Sequence, residues 1–207
     1  MTKQRFQQHH QRVAEYFNTL AAKHGYQYRA NDYGQEISQR TKYQVMSEIG
    51  NLDGRSILDV GCGLAQFYDY LTREQGLQVR YVGIDISPRI VRLALEHHPG
   101  LDIRLGDVLN TPLDGPFEYV FANGLFYIDY NHTFVQALIH KVYELCGDGA
   151  CISTTSSYAP VKHEGEHYSD PAAFFRLCKK LTPRVVLRHD YTAHDFTAYL
   201  YRGPFPY

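Results

Sequence analysis

Ile57-Leu58-Asp59-Val60-Gly61-Cys62-Gly63 is the stretch on which the fold turns. A short apolar run that ends beside an acid and then passes through G-x-G reads as strand, tight turn and helix. Such a turn lets backbone come close to a ligand. Asp85 stands at the end of a second apolar run, where a carboxylate can accept both hydroxyls of a ribose. Asp107 follows a third such run. Taken alone, G-x-G is only a tight turn. Three acids at three successive strand ends instead point to one nucleoside ligand over the carboxyl edge of a sheet.

Outward from this stretch, strand and helix signals alternate. Ser56–Val60, Arg80–Ile86, Asp102–Leu105, Phe117–Ala122 and Ala150–Thr155 read as strands, and Arg184–His189 and Phe196–Tyr201 as two more. Helices are expected over Gln66–Gln75, from Ser87-Pro88 to about His98, over His132–Cys146 and over Pro171–Leu181. The first fifty or so residues, rich in Gln and Tyr, read as helices over Phe6–His24 and Gly34–Ile49. The expected fold is α/β: a Rossmann-like, doubly wound, seven-stranded sheet with an N-terminal helical cap. The last two strands are joined by too few residues for a parallel crossover, so the last should run antiparallel. One domain over 1–207 is expected, with the cap at 1–50 and the core at 51–207.

The chain has 207 residues, 44% hydrophobic and 21% charged, with a formal net charge of -1. That balance gives no basic field for a nucleic-acid backbone or an anionic membrane, and leaves a small molecule as the expected partner. No apolar run approaches a membrane span, and the N-terminus does not resemble a signal peptide. Cys62, Cys146, Cys151 and Cys178 lack C-x-x-C spacing and read as reduced thiols of a cytoplasmic protein. The oligomeric state is not legible.

Two rival readings have motifs of their own. An NAD fingerprint wants a third small residue in G-x-G-x-x-G, where this chain has Gln66. Tyr158 and Lys162 match a reductase Y-x-x-x-K spacing, but Pro160 lies between them and breaks the helix that would align the pair. His163-Glu164-Gly165-Glu166-His167 matches the H-E-x-x-H pattern of zinc hydrolases. Gly165 at its centre, with Pro160 and Pro171 around it, argues for a loop, and no metal is expected. A binding protein without catalysis is the third alternative.

From about Lys42 to Tyr201 the chain resembles the class I S-adenosylmethionine-dependent methyltransferases. The resemblance rests on LDVGCG at Leu58–Gly63, GIDIS at Gly83–Ser87, GDV at Gly106–Val108, FEYVFANG at Phe117–Gly124 and the terminal strand pair. Tyr168–Tyr201 resembles a bacterial subgroup of unassigned substrate. The resemblance implies S-adenosylmethionine as cofactor, with Gly61, Cys62 and Gly63 beside its methionine part and Asp59 helping to hold the amino group. It implies ribose at Asp85, adenine against Ile86, the adenine edge near Asp107 and Val108, and the methyl donor beside Asn123 and Gly124. Arg40, on the helix before the first strand, is a candidate for the donor's carboxylate.

A donor over the first three strands leaves the acceptor to approach from the later ones. Phe126, Tyr127, Tyr158, Tyr168 and Tyr191 are therefore candidate acceptor contacts. Imidazole titrates near neutrality, so His167, then His132, then His189 are the candidate general bases. After the fourth strand the sequence reads Asn123-Gly124-Leu125-Phe126, not the Asn-Pro-Pro-Tyr of enzymes that methylate exocyclic amines of bases. The expected reaction is O- or N-methylation of a small molecule.

Overall fold

The computed structural model describes residues 3–126 and 132–205, with side chains from residue 8 onward. Seven strands form one sheet: β1 (Ser56–Val60), β2 (Arg80–Asp85), β3 (Asp102–Leu105), β4 (Phe117–Asn123), β5 (Cys146–Thr155), β6 (Val185–Arg188) and β7 (Asp195–Tyr201). Their order is β3-β2-β1-β4-β5-β7-β6. Only β7 runs against the rest, paired antiparallel to both β5 and β6. The sheet thus matches the expected doubly wound order and its single reversed strand.

Strand alternation divides the apolar residues between two faces. Leu58, Val60, Val120, Ala122, Ala150, Ile152, Ala198 and Leu200 join one core. It is shared with α5 (His132–Leu145) and α6 (Pro171–Cys178). Ile57, Tyr81, Ile103, Tyr119, Phe121, Cys151 and Tyr199 join the other. That face is covered by α2 (Glu36–Ser47), α3 (Gln66–Asp69) and α4 (Pro88–His97). The N-terminal helix α1 (Lys3–His24) packs on α4, and its Asn18 Oδ1 accepts from Ser87 Oγ at 2.8 Å and Arg89 N at 3.0 Å.

Three elements depart from their expected bounds. The helix expected over Gln66–Gln75 is a single α turn followed by a π turn at Tyr70–Glu74, where Gln75 N bonds Tyr70 O. β5 begins at Cys146, before the expected Ala150, since Gly147–Gly149 stays in the sheet through a register shift against β4. α6 stops at Cys178, and tight turns carry the chain from there to Thr182-Pro183.

Candidate active site

At the carboxyl edge of β1, β2, β4 and β5, under the cap, lies a cavity of about 620 Å³. Its first half is built by backbone. Gly61, Gly63 and Ala65 are all left-handed, with φ of 68°, 55° and 57°. A Cβ at Gly61 would collide with Leu125, and one at Gly63 with the Asn31 amide. Both positions therefore need glycine for two reasons, conformation and space. Asp85 braces the turn, accepting from Gly63 N at 3.0 Å and Ser87 N at 2.8 Å. Gln66, which replaces the third glycine, accepts from Asn31 at 3.1 Å and Gln39 at 2.9 Å, tying the turn to the cap.

Burial raises the Asp59 carboxyl to about 7, against a stabilising 2.6 Å bond from the Tyr81 hydroxyl and with some help from Asp85. Burial also raises Asp85, while its backbone N–H donors pull the other way. Asp107 accepts from Leu109 N at 3.0 Å and lies 3.5 Å from His10 of the cap.

The second half is built by side chains from distant segments. Lys42, on the buried face of α2, pairs with Asp195 at 3.1 Å, and both are largely out of solvent. Burial works against the lysine's charge, but the Asp195 carboxylate overcomes it and holds the ammonium above its ordinary range. The Lys42 ammonium lies 5.4 Å from the centre of the Tyr33 ring. The Tyr33 hydroxyl accepts from Asn123 Nδ2 at 2.7 Å. Asn123 Oδ1 is buried and has no hydrogen-bond partner among the described residues. On the other flank His194 Nε2 lies 3.3 Å from Asp195. The 156–170 loop closes this half with Pro160, Val161, His163, Glu166 and Tyr168. It is stapled through Ser169 N to Thr155 O and Ser157 N to Ser169 O.

Of the residues singled out from sequence, Asp59, Gly61, Cys62, Gly63, Asp85 and Ile86 line the cavity. So do Asp107, Val108, Asn123, Gly124 and Tyr168. Seven others do not. Arg40 is half exposed and pairs with Glu74 at 2.6 Å, on the outward side of α2. Phe126 is buried in the core with its ring edge toward Phe174. Tyr158 is 67% exposed, and the Tyr191 hydroxyl is engaged with Thr197 at 2.8 Å. His167 contacts Ser169 Oγ, His132 is exposed at the start of α5, and His189 packs its ring near Tyr158 and Phe196. Tyr127 lies outside the described residues.

The HEGEH segment is turn and loop, with Gly165 at φ 85°, so its two imidazoles share no helix face. Tyr158 and Lys162 lie in the same loop, Lys162 over the Tyr168 ring. Lys42 and Asp195 escaped the sequence reading. A lone lysine in a Gln-rich helix looks solvated, and only its spacing from Gln39, Tyr43 and Met46, all buried, places it on the inner face.

Comparison with known proteins agrees with this architecture. A methyltransferase domain family matches residues 57–149. A Mycobacterium tuberculosis protein, Rv1506c, named as a methyltransferase, is 29% identical over 161 residues, covering 73% of this chain and 96% of its own. The phthiotriol/phenolphthiotriol dimycocerosates methyltransferase of Mycobacterium leprae is 39% identical over 80 residues, covering 38% of this chain but only 27% of its own length. Among solved structures, magnesium protoporphyrin IX methyltransferase from Synechocystis, with bound SAM, superposes with a TM-score of 0.71. At 16% identity, it covers 94% of this chain and 97% of its own.

Proposed function

We propose that this chain is a class I S-adenosylmethionine-dependent methyltransferase, and that it methylates an oxygen or nitrogen of a small molecule held in the half of the cavity walled by Tyr33, Asn123, Thr155 and the 156–170 loop. The observation that carries this reading is the chemistry of the walls. Across the whole cavity they bear Asp32, Asp59, Asp85, Asp107, Glu166 and Asp195, and the one lysine or arginine among the described lining residues, Lys42, is already paired with Asp195. A phosphate backbone would find no free cation inside, whereas a compact uncharged or cationic acceptor meets no repulsion.

The cofactor fits the residues present. The cavity reaches the Gly61–Gly63 turn, and the buried Asn123 Oδ1 at its wall lacks a donor among the described residues. Asp85 would hold the ribose hydroxyls, Ile86 and Val108 would flank the base, and Asp107 would meet its edge. Asp59 and the Gly61–Gly63 backbone would hold the amino acid end, where a bound ammonium would pull the Asp59 carboxyl back toward its ordinary range. Bound there, S-adenosylmethionine supplies a methyl group on a sulfonium that leaves as a neutral thioether. The chain's remaining work is to align an acceptor lone pair behind that methyl and to exclude water. Alignment is worth up to ~7–11 kcal/mol in well-oriented systems.

The reading is tested by incubating the protein with methyl-labelled S-adenosylmethionine and a cell extract, then dialysing. Label is expected in the small molecules that pass the membrane. Label confined to retained RNA or protein would overturn the small-molecule assignment.

A further inference from the structure

Three histidines line the cavity: His10, His163 and His194. His10 stands at Asp107 in the half given to the donor. His163 sits on an exposed loop, and its ring has no carboxylate in ion-pair range among the described residues. His194 differs from both. Its Nε2 lies 3.3 Å from a carboxylate that is 3% exposed, while the imidazole itself is half exposed at the wall. It lies where β7 begins, next to the end of β5, with Ser156 N bonded to its carbonyl. From there contacts run through Asp195, Lys42 and Tyr33 to Asn123 at the end of β4.

On the methyl-transfer reading above, we propose that His194 is the general base of the reaction and that Asp195, with Lys42 as its counter-ion, is the residue that positions it. With the ring proton on Nε2, the nitrogen that faces Asp195 at 3.3 Å, Nδ1 keeps its lone pair and is free to accept a proton. As the acceptor's lone pair bonds the methyl carbon and the C–S pair returns to sulfur, the acceptor's X–H proton passes to Nδ1. The imidazolium so formed lies against the Asp195 carboxylate, which also keeps the ring in the tautomer that can accept. Lys42 prevents that buried carboxylate from standing as an isolated charge. The half-exposed ring then returns its proton to solvent. The other titratable groups on the same walls are Asp32, Tyr33, Lys42 and Tyr43 from the cap and His163, Glu166 and Tyr168 from the 156–170 loop. Tyr33 is pushed up by burial and stays a phenol near neutrality.

Two measurements test this. The first reads ¹⁵N-histidine spectra of the protein loaded with S-adenosylhomocysteine, with the His194 signal assigned through His194→Gln. Wild type is expected to show His194 as the Nε2–H tautomer, and Asp195→Leu to admit the Nδ1–H tautomer. An Nδ1–H tautomer in wild type, or a tautomer that Asp195→Leu leaves unchanged, overturns the proposal. The tautomer is read in wild type and decides even if the variant does not fold.

The second offers a panel of phenols, alcohols and primary amines, with single-turnover release of S-adenosylhomocysteine as readout. His194→Gln is expected to slow transfer by ~10²-fold or more and to flatten its rise with pH, while S-adenosylhomocysteine affinity stays within a few-fold. Near wild-type rates with an unchanged pH profile overturn the proposal. If no panel member is methylated, the spectra alone decide. Failure of wild type to bind S-adenosylhomocysteine would strike the cofactor reading instead. Binding with a His194 unlinked to Asp195 would strike only this inference.

Discussion

The donor half and the acceptor half of the cavity share one sheet edge but are held together by different forces. In the donor half the working groups lie within a few residues of β1, β2 and β3, and neighbouring backbone fixes them. Asp85 is positioned by the N–H groups of Gly63 and Ser87, and Gly61 N bonds Ile84 O at 2.8 Å. In the acceptor half, groups far apart in the chain meet through side chains: Tyr33 with Asn123, and Lys42 with Asp195. The first half is built by local geometry and shaped for its ligand. The second is built by tertiary packing, with one buried ion pair at its wall.

If this contrast is right, damage should fall differently on the two halves. Lys42→Met leaves Asp195 buried without its cation. Removing one partner of a buried pair typically costs about 3–5 kcal/mol. The loss should sit near the lower end, because His194 still faces Asp195 at 3.3 Å. Denaturant unfolding is expected to show this loss, and Lys42→Met/Asp195→Leu to recover most of it. An unchanged midpoint in the single variant would mean that the acceptor half does not depend on the pair.

The donor half should respond chiefly in affinity. Asp85→Ala is expected to lower stability by about 1–3 kcal/mol, because Gly63 N and Ser87 N lose their acceptor, and to weaken S-adenosylhomocysteine by ten- to a few-hundredfold. The basis is that hydrogen bonds to a charged partner contribute roughly 1.5–3 kcal/mol each. Calorimetry on the folded variant checks it, and wild-type affinity would remove Asp85 from the ribose.

The same contrast explains what the sequence revealed. LDVGCG, Asp85 and Asp107 were legible because local turn chemistry requires those residue types at those spacings. The doubly wound sheet followed from the alternation of strands and helices, and the reversed β7 from a short final connection. The acceptor half was legible only at Tyr168 and, where it borders the donor half, at Asn123. His167, His132 and His189 lie near strand ends in the sequence, a position that does not tell which way a loop side chain faces. Lys42 and Asp195, 153 positions apart by number, become partners only once α2 packs against the sheet. Phe126 shows the same limit: an aromatic after β4 fills the core as readily as it lines a cavity.

Asp59 links the two halves through pH. Its folded carboxyl titrates at about 7, above the ~3.9 of an unfolded aspartate. Between those values the folded state holds a proton that the unfolded chain has released. Stability from this group is therefore full below about pH 4 and is lost as pH rises toward 7, by on the order of a few kcal/mol. In the cofactor-free protein, Asp59→Asn should match wild type near pH 4 and exceed it at pH 8. Wild-type affinity for S-adenosylhomocysteine should fall up to about tenfold per pH unit below 7, as the carboxylate facing the ligand's ammonium is protonated. The variant's affinity should be weak and flat over that range. Parallel stability curves for the two proteins would mean that Asp59 is ionised throughout.

The smallest effect is expected at Arg40, and it fixes where the donor half ends. From sequence, the helix before β1 offered this arginine to the cofactor's carboxylate. In the folded chain its guanidinium pairs with Glu74 at 2.6 Å on an exposed face, with both side chains a third or more in solvent. Pairs of that kind contribute about 0–1 kcal/mol and are screened by salt. Drawing Arg40 into the cavity would break the pair and turn α2 away from the Lys42 and Tyr43 face that it buries. Arg40→Ala is thus expected to leave S-adenosylhomocysteine affinity within about twofold and to lower stability by less than ~1 kcal/mol, less still in high salt. Calorimetry and unfolding at two salt concentrations measure both. A tenfold loss of affinity would show that α2 rotates when the ligand binds, which would place the Lys42–Asp195 pair in the moving part of the site.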